Sequence, residues 1–554
     1  MRRRLPYLCT GIILVLIATS LLITLSSSGT AEQAAGLRRL NSVVSAKTQA
    51  GHTITVTPRG PDQAIVESAK KNLVLSPAVQ RFLKGTTNRM ISFELIEPDG
   101  YHATFYDYTN CRAIEASGHF NGGQIEARES SEQPDPNEEE FQAAVAVLYS
   151  DPTFGPSMRD ETLQPYAPMP PLVKSAGKCE RTVTVGLKSK DGSIQHEIVG
   201  VNLINRSVIR FPGRAPEGSF ASATSCGPPS SGQGTTPRGT AGQVDVVISR
   251  EGRTLWKFTV VRPSVSTGTR GSAIDIADVE YLGKQVLKRA HCPILNVQYE
   301  RNVCGPYRDW SYQESMFVAN GTDMAAGIRL CNQAPQTVLD IDSDAGNFRG
   351  VAMFDDKERV TLVTEMEAGW YRYLCEWTFS DDGRISPRYA FGATDNSCVC
   401  SAHNHHVYWR FDFDILESAN NRILEVNNGV PTQLMTETVR PRLAGADRTW
   451  IVENAVTGES ASIIPGPRDG NLDKYGRYDM AFLQFKANET DDGVNCTQGC
   501  DTRANLDPFV NGESIVGNVV VWYGAHFNHA DGGNSLKGLS GPHVIGPDLI
   551  LKKY

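Results

Sequence analysis

The run His403-Asn-His405-His406-Val-Tyr-Trp-Arg-Phe-Asp412-Phe-Asp414 decides how the rest of the chain is read. Its branched and aromatic content is that of a strand. Successive strand side chains alternate between faces, so His403 and His405 project together, while Asp412 and Asp414 share the opposite face. Paired imidazoles without acidic partners suit copper or zinc, and paired carboxylates suit a hard cation. A His-x-His alone equally describes surface or core histidines, so a third ligand is required. Val519-Val-Val-Trp-Tyr-Gly-Ala-His526-Phe-Asn-His529 supplies two candidates on a second predicted strand.

Around these runs the chain reads as β-rich. Short strand patterns such as Val244–Ile248, Val360–Thr364 and Ser514–Tyr523 recur between turn clusters, and long helical periods are absent beyond Val244. Residues 243–554 are therefore expected to form one large β-sandwich. At 554 residues the chain is too long for a single core, and roughly two to four domains are expected. Two small α+β domains are expected first, at 40–135 and 136–217. In the first, Ile91–Pro98 and Tyr101–Tyr106 flank an Asp99-Gly100 turn signal, a hairpin pattern. In the second, Asn137 stands three residues before Glu140, an N-cap box leading a helix that faces inward through Phe141, Val145 and Leu148. Thr182–Leu187 and Glu197–Ile209 carry strand patterns. Residues 218–242 are almost all Gly, Ser, Thr, Ala and Pro and read as a long flexible connector or surface loop.

Hydrophobic residues make up 40% of the chain, which argues against wholesale disorder. Lys plus Arg total 54 and Asp plus Glu 62, with no basic stripe, so a nucleic-acid partner is not expected. Met1-Arg-Arg-Arg4 precedes an uncharged apolar stretch, Leu5–Leu25. Residues 1–30 thus read as a signal-anchor or a cleaved signal peptide, and either places the body outside the cytoplasm. The expected location is a single-pass membrane protein with a lumenal or extracellular body, or a secreted protein. Twelve cysteines agree with an oxidising compartment. Eleven lie beyond the apolar segment, so at least one thiol is left over. Sequons stand at Asn205, Asn320, Asn488 and Asn495.

Taken together, His403-x-His405 with Arg-Phe-Asp-Phe-Asp, and a strand carrying Trp522 with a histidine seven positions later, resemble the copper amine oxidase family. Further likenesses lie in Arg89–Pro98, Glu140–Phe154, Leu255-Trp-Lys-Phe258 and Asp447–Val452, so the resemblance covers nearly the whole chain from about residue 50. It implies copper on His403, His405 and His529, with His526 as the alternate. It also implies a second cation, often calcium, on Asp412, the Phe413 carbonyl and Asp414, with Asn518 where another acid is usual. Tyr371 falls where the family's tyrosine becomes topaquinone, Glu314 where a carboxylate removes the substrate's proton, and Tyr312 at the substrate gate. Tyr299 lies near the tyrosine that hydrogen-bonds the cofactor. The implied reaction takes a primary amine and oxygen to aldehyde, ammonia and hydrogen peroxide, in a homodimer. The family's Thr-x-x-Asn before the tyrosine and acid after it are replaced here, with Trp370 and Arg372 flanking Tyr371. This substitution motivates the alternative, a copper-binding relative without topaquinone, inactive on amines or acting in natural-product tailoring. In that reading Arg372 places a cation beside the ring.

Overall fold

The computed structural model describes residues 43–554 apart from 97–98, 131–132, 169–171, 174–178, 190–196, 211–225, 300–303, 444–446, 495–499 and 530–542. The expected leader at 1–30 and the sequon Asn495 fall outside the described residues. Among the described residues, no helix is long and apolar enough to cross a membrane.

Two α+β units come first. Asp62 caps the helix Gln63–Leu75, which packs with Pro77–Leu83 on a four-stranded sheet through Val66, Leu73, Phe93, Phe105 and Ile114. The expected hairpin is present: Asn88–Ile96 pairs antiparallel with Gly100–Asp107. In the second unit the Asn137 side chain accepts from the Glu140 amide at 3.0 Å and starts the helix Glu138–Ser150. Val145 and Leu148 then bury against Val183, Val185 and Val199. Glu140 does not reach back to the cap; it is buried between Arg181 and the Tyr108 hydroxyl. A fully buried carboxylate requires such a partner.

The large body consists of an eleven-stranded and a twelve-stranded sheet packed through one core that includes Trp256, Trp377, Trp409 and Trp450. Fully burying such side chains is worth about 3–5 kcal/mol each by truncation. Two expectations are revised. The hairpin Val44–Lys47 and His52–Arg59, assigned from sequence to the first small domain, instead pairs with Gln243–Arg250 and extends the first large sheet. The connector, read as flexible, is held from Cys226 onward. Cys226 is bonded to Cys400, Ser231 donates to Asp344 from its amide at 2.7 Å, and the Thr236 amide donates to the Glu314 carbonyl at 3.0 Å. Composition alone reports only that such a segment builds no core of its own; cross-links to a neighbouring core order it all the same.

Six strands position the site: β1 (Lys284–Tyr299), β2 (Arg359–Ala368), β3 (Tyr371–Ser380), β4 (Arg384–Ala393), β5 (His403–Phe413) and β6 (Val519–His529). β5 lies between β1 and β6 in the first sheet, antiparallel to both. β3 lies between β2 and β4 in the second. Both faces of β5 are buried, with every residue from His405 to Phe413 inaccessible, so it runs through the interior as a central strand. The turn entering β5 is pinned twice, because Cys398 is bonded to Cys304 and Cys400 to Cys226. A third bridge joins Cys111 to Cys179, while Cys292, Cys331 and Cys375 are free and buried.

Candidate metal centre

Register explains the convergence. His403 lies directly opposite His529 across the β5–β6 pair, so these two share a face, and His405 is two residues along on that face. The three imidazoles each present a nitrogen within 4.8 Å of the others and are fully buried. Among the described residues this is the one group of three or more potential metal ligands so gathered. His403 Nδ1 lies 2.5 Å from the Ser401 carbonyl, which fixes that nitrogen as the N–H and leaves Nε2 its lone pair. His405 has both ring nitrogens buried without a hydrogen-bond partner. Burial, then the neighbouring His403 and His529, hold its pKa well below the ordinary imidazole value, so it is neutral. Buried polar atoms are rarely left so. A neutral imidazole with two unanswered nitrogens beside two others fits a borderline metal of the copper or zinc type.

His526 does not join this group. It pairs across the strands with His406, on the opposite face, and its Nε2 lies 3.1 Å from Asp479. The alternate third ligand is thereby set aside in favour of His529. His543 lies edge-on to His529, ring centroids 4.5 Å apart, a neighbour that no sequence signal announced.

Tyr371, the first residue of β3, reaches across from the other sheet. Its hydroxyl contacts His403 Nε2, and its ring lies edge-on to His405 with centroids 4.9 Å apart. Tyr299 stacks on His403 at 4.8 Å, and Trp370 Nε1 donates to the Tyr299 hydroxyl at 2.9 Å. Burial raises the phenol pKa of both tyrosines well above the ordinary range. Tyr373, two residues on and therefore on the same strand face, lies parallel to Tyr371 with centroids 4.9 Å apart. Strand period two in the sequence places Tyr373 on the Tyr371 face.

Arg372 is not beside the Tyr371 ring. Alternation turns it to the other face of β3, where Nε and Nη2 donate to Asp344 at 2.6 and 2.9 Å and Glu367 lies 3.3 Å away. The expected cation at the ring is thus placed elsewhere and neutralised. Glu314 is held by an arginine. Arg262 donates to its carboxylate from Nε at 2.9 Å and from Nη2, and the Ser264 amide donates at 3.0 Å. Burial opposes its charge, yet the Arg262 charge and these hydrogen bonds hold its pKa below the usual carboxylate range. Tyr312, expected at the gate, carries the Arg238 guanidinium 4.7 Å from its ring centroid and lies beside Trp310.

At the far end of β5, Asp412 Oδ1, Asp414 Oδ1 and Asn518 Oδ1 are all buried without hydrogen-bond partners. Burial, then Asp412, push the Asp414 carboxyl up to about 6. Oxygen donors left unanswered in this way are what a hard cation satisfies. Of the sequons, Asn205, Asn320 and Asn488 are exposed.

No protein-family profile and no curated protein sequence matches this chain. Solved structures do. A copper-containing benzylamine oxidase from Hansenula polymorpha is similar over 94% of this chain and 96% of its own, at 12% identity and a TM-score of 0.50. Pichia pastoris lysyl oxidase is similar over 93% and 91%, at 12% identity and a TM-score of 0.56. Aspergillus nidulans amine oxidase is similar over 93% and 90%, at 13% identity and a TM-score of 0.54. The likeness shows the fold: this chain has a copper amine oxidase-like architecture, as its sequence resemblance implied.

Proposed function

We propose that the protein is a copper-dependent oxidase that converts a primary amine, with oxygen and water, to an aldehyde, ammonia and hydrogen peroxide, using topaquinone formed from Tyr371. One observation carries this reading: the Tyr371 hydroxyl points at the lone-pair nitrogen of His403 in a gathered imidazole trio. The names of the similar structures, benzylamine oxidase, lysyl oxidase and amine oxidase, support amines as the substrate class.

Copper held by His403, His405 and His529 would supply oxygen-dependent oxidation of the Tyr371 ring, and the resulting quinone would accept the amine's electrons. The chain's own residues prepare that chemistry. The Ser401 carbonyl sets the His403 tautomer. Tyr299, held by Trp370, stacks on His403 and fixes the orientation of that ring. Complete burial of the ring and the trio excludes water, which strengthens each of these hydrogen bonds. Asp344 and Glu367 neutralise Arg372 on the far face, so no uncompensated cation acts on the ring from its own strand neighbour.

Asp412, the Phe413 carbonyl, Asp414 and Asn518 are proposed to take a calcium ion, which the same metal analysis would count. A homodimer, glycosylated at the exposed sequons, with its body secreted or lumenal, completes the reading; the bridges Cys111–Cys179, Cys226–Cys400 and Cys304–Cys398 fit an oxidising compartment. Trp370, standing where the family's asparagine precedes the tyrosine, favours the second reading, a copper protein without topaquinone. Copper-reconstituted protein separates the two. A quinone stain, a phenylhydrazine adduct at residue 371 and amine-dependent peroxide support the first; stoichiometric copper with an unmodified Tyr371 peptide supports the second.

A further inference from the structure

We propose that the bridges Cys304–Cys398 and Cys226–Cys400 are positioning elements of the metal centre: through the turn they clamp, they hold His403 in place as a ligand. The proposal deepens the reading of the trio as a copper site and rests on it for the role of copper, though not for how His403 is held.

Tyr371 and His403 come from different sheets and touch. Residues 394–402 connect those sheets at this point. β4 ends at Ala393, the cross-strand partner of Tyr371, and β5 opens on His403. Between them lie the short 3-10 turn Ser397–Cys400 and one isolated bridge, Asn396 with Cys226, so no strand ladder fixes the connection. Its contacts nevertheless reach both halves of the site. Thr394 donates to the Trp370 carbonyl from its amide at 2.7 Å and from its hydroxyl at 3.2 Å, one peptide before Tyr371. At the other end, the Ser401 carbonyl meets His403 Nδ1 at 2.5 Å.

The two bridges fall between these contacts. Cys398 ties the turn to Cys304, which lies between β1 and the strand Tyr307–Arg308. Cys400 ties it to Cys226, and the Cys226 and Asn396 backbones exchange hydrogen bonds at 3.3 and 3.2 Å. Inside the turn, Asn396 Oδ1 accepts from the Cys398 amide at 2.8 Å, and the Ser401 amide donates to the Cys398 carbonyl at 3.1 Å. Ser401 is thus one residue from one bridge and one hydrogen bond from the other. Ordering such a connection costs conformational entropy, and a cross-link reduces the freedom that must be lost. The carbonyl behind a ligating imidazole sets both its rotation and its tautomer, and losing such a partner costs about 10–100-fold in metal affinity. The bridge Cys111–Cys179 joins the two α+β units instead and provides the comparison.

The test uses full-length protein with paired replacements: Cys304→Ser with Cys398→Ser, Cys226→Ser with Cys400→Ser, and Cys111→Ser with Cys179→Ser. Both partners are replaced together so that no new thiol competes for copper. In competition with a chelator, the first two pairs should hold copper about 10–100-fold more weakly than wild type, with an altered hyperfine splitting in the copper EPR spectrum. The Cys111 and Cys179 pair should lower the unfolding midpoint and keep the wild-type affinity and spectrum. Wild-type affinity and spectrum in either of the first two pairs overturn the proposal for that bridge. An equal loss in the Cys111 and Cys179 pair overturns it for both, because the bridges would then act only through general stability. Asn396→Ala leaves every bridge in place and removes only the oxygen that holds the Cys398 amide, so it should change the spectrum in the same direction. Where the paired replacements fail to fold, a wild-type spectrum in Asn396→Ala overturns the proposal. Nitrogen NMR of copper-free, histidine-labelled protein gives a reading that needs no metal. The His403 signal, assigned by its loss in His403→Gln, should report the Nδ1–H form in wild type and both tautomers in the Cys304 and Cys398 pair; one unchanged Nδ1–H form in both overturns the positioning. A wild type that binds no copper defeats the metal-centre reading instead, and the tautomer result still decides how His403 is held.

Discussion

Two histidine clusters lie back to back on the same strand pair. On one face of β5 and β6 are His403, His405 and His529; on the other, one residue away in sequence, are His406 and His526. Both sets are buried, and composition does not distinguish them. Their hydrogen bonding does. His406 and His526 face each other through Nδ1 at 2.9 Å, His526 Nε2 lies 3.1 Å from Asp479, and His406 Nε2 lies 3.4 Å from Asp473. Asp479 is itself held by Arg442. An added Cβ at Gly476 would come within 3.0 Å of His406 Nδ1, so the backbone closes directly over this pair. Three of the pair's four ring nitrogens have hydrogen-bond partners, and the fourth, His406 Nε2, has only the 3.4 Å approach of Asp473. In the trio, His405 is unanswered at both nitrogens. Unmet hydrogen-bonding capacity, more than proximity or burial, separates a ligand set from a structural set.

The largest effect that would break this distinction is on copper content. His405→Ala should remove stoichiometric copper, because two imidazoles leave an open and weakened site; elemental analysis after dialysis reads the outcome directly. The contrasting substitutions His406→Ala and His526→Ala should leave copper bound one per chain. They should instead lower unfolding stability by about 1–3 kcal/mol, the cost of leaving a buried polar partner unsatisfied. Denaturant titration measures it. Copper lost from both sets, or from neither, would erase the distinction.

The face each histidine takes was legible from sequence, since strand alternation joins His403 to His405 and separates His406. The third ligand was legible only as a choice, because the cross-strand register that sets His529 opposite His403 is not written in either strand alone. The same alternation predicts that Arg372 turns away from Tyr371 and that Tyr373 shares its face. Glu314 illustrates what no local rule reaches. Its fate is set by Arg262, 52 residues upstream and brought to it only by the fold. The order of residues 226–242 depends likewise on the Cys226–Cys400 bridge, a pairing that cysteine spacing leaves open.

The smallest expected effect is on acid sensitivity, and it sharpens the same contrast. Burial holds the pKa of both His405 and His406 well below the ordinary imidazole value, so between the folded and unfolded values the unfolded chain binds more protons. Stability then rises with pH through this window. It is fully present above about 6.5, the ordinary imidazole value, and lost as pH falls below it. In copper-free protein both clusters contribute to this loss. Copper should change the contribution of the trio alone, because protons and metal compete for the same nitrogen lone pairs. Because His405 is already neutral in the folded chain, the stabilisation given by copper should stay nearly constant as pH falls from 7 and shrink only once pH approaches the depressed folded-state pKa. His406→Ala should flatten the acid limb of the copper-free protein while leaving that copper-linked difference intact. Thermal unfolding with and without copper across this range checks both. A copper-linked difference that moves with His406→Ala would mean that the two clusters titrate as one.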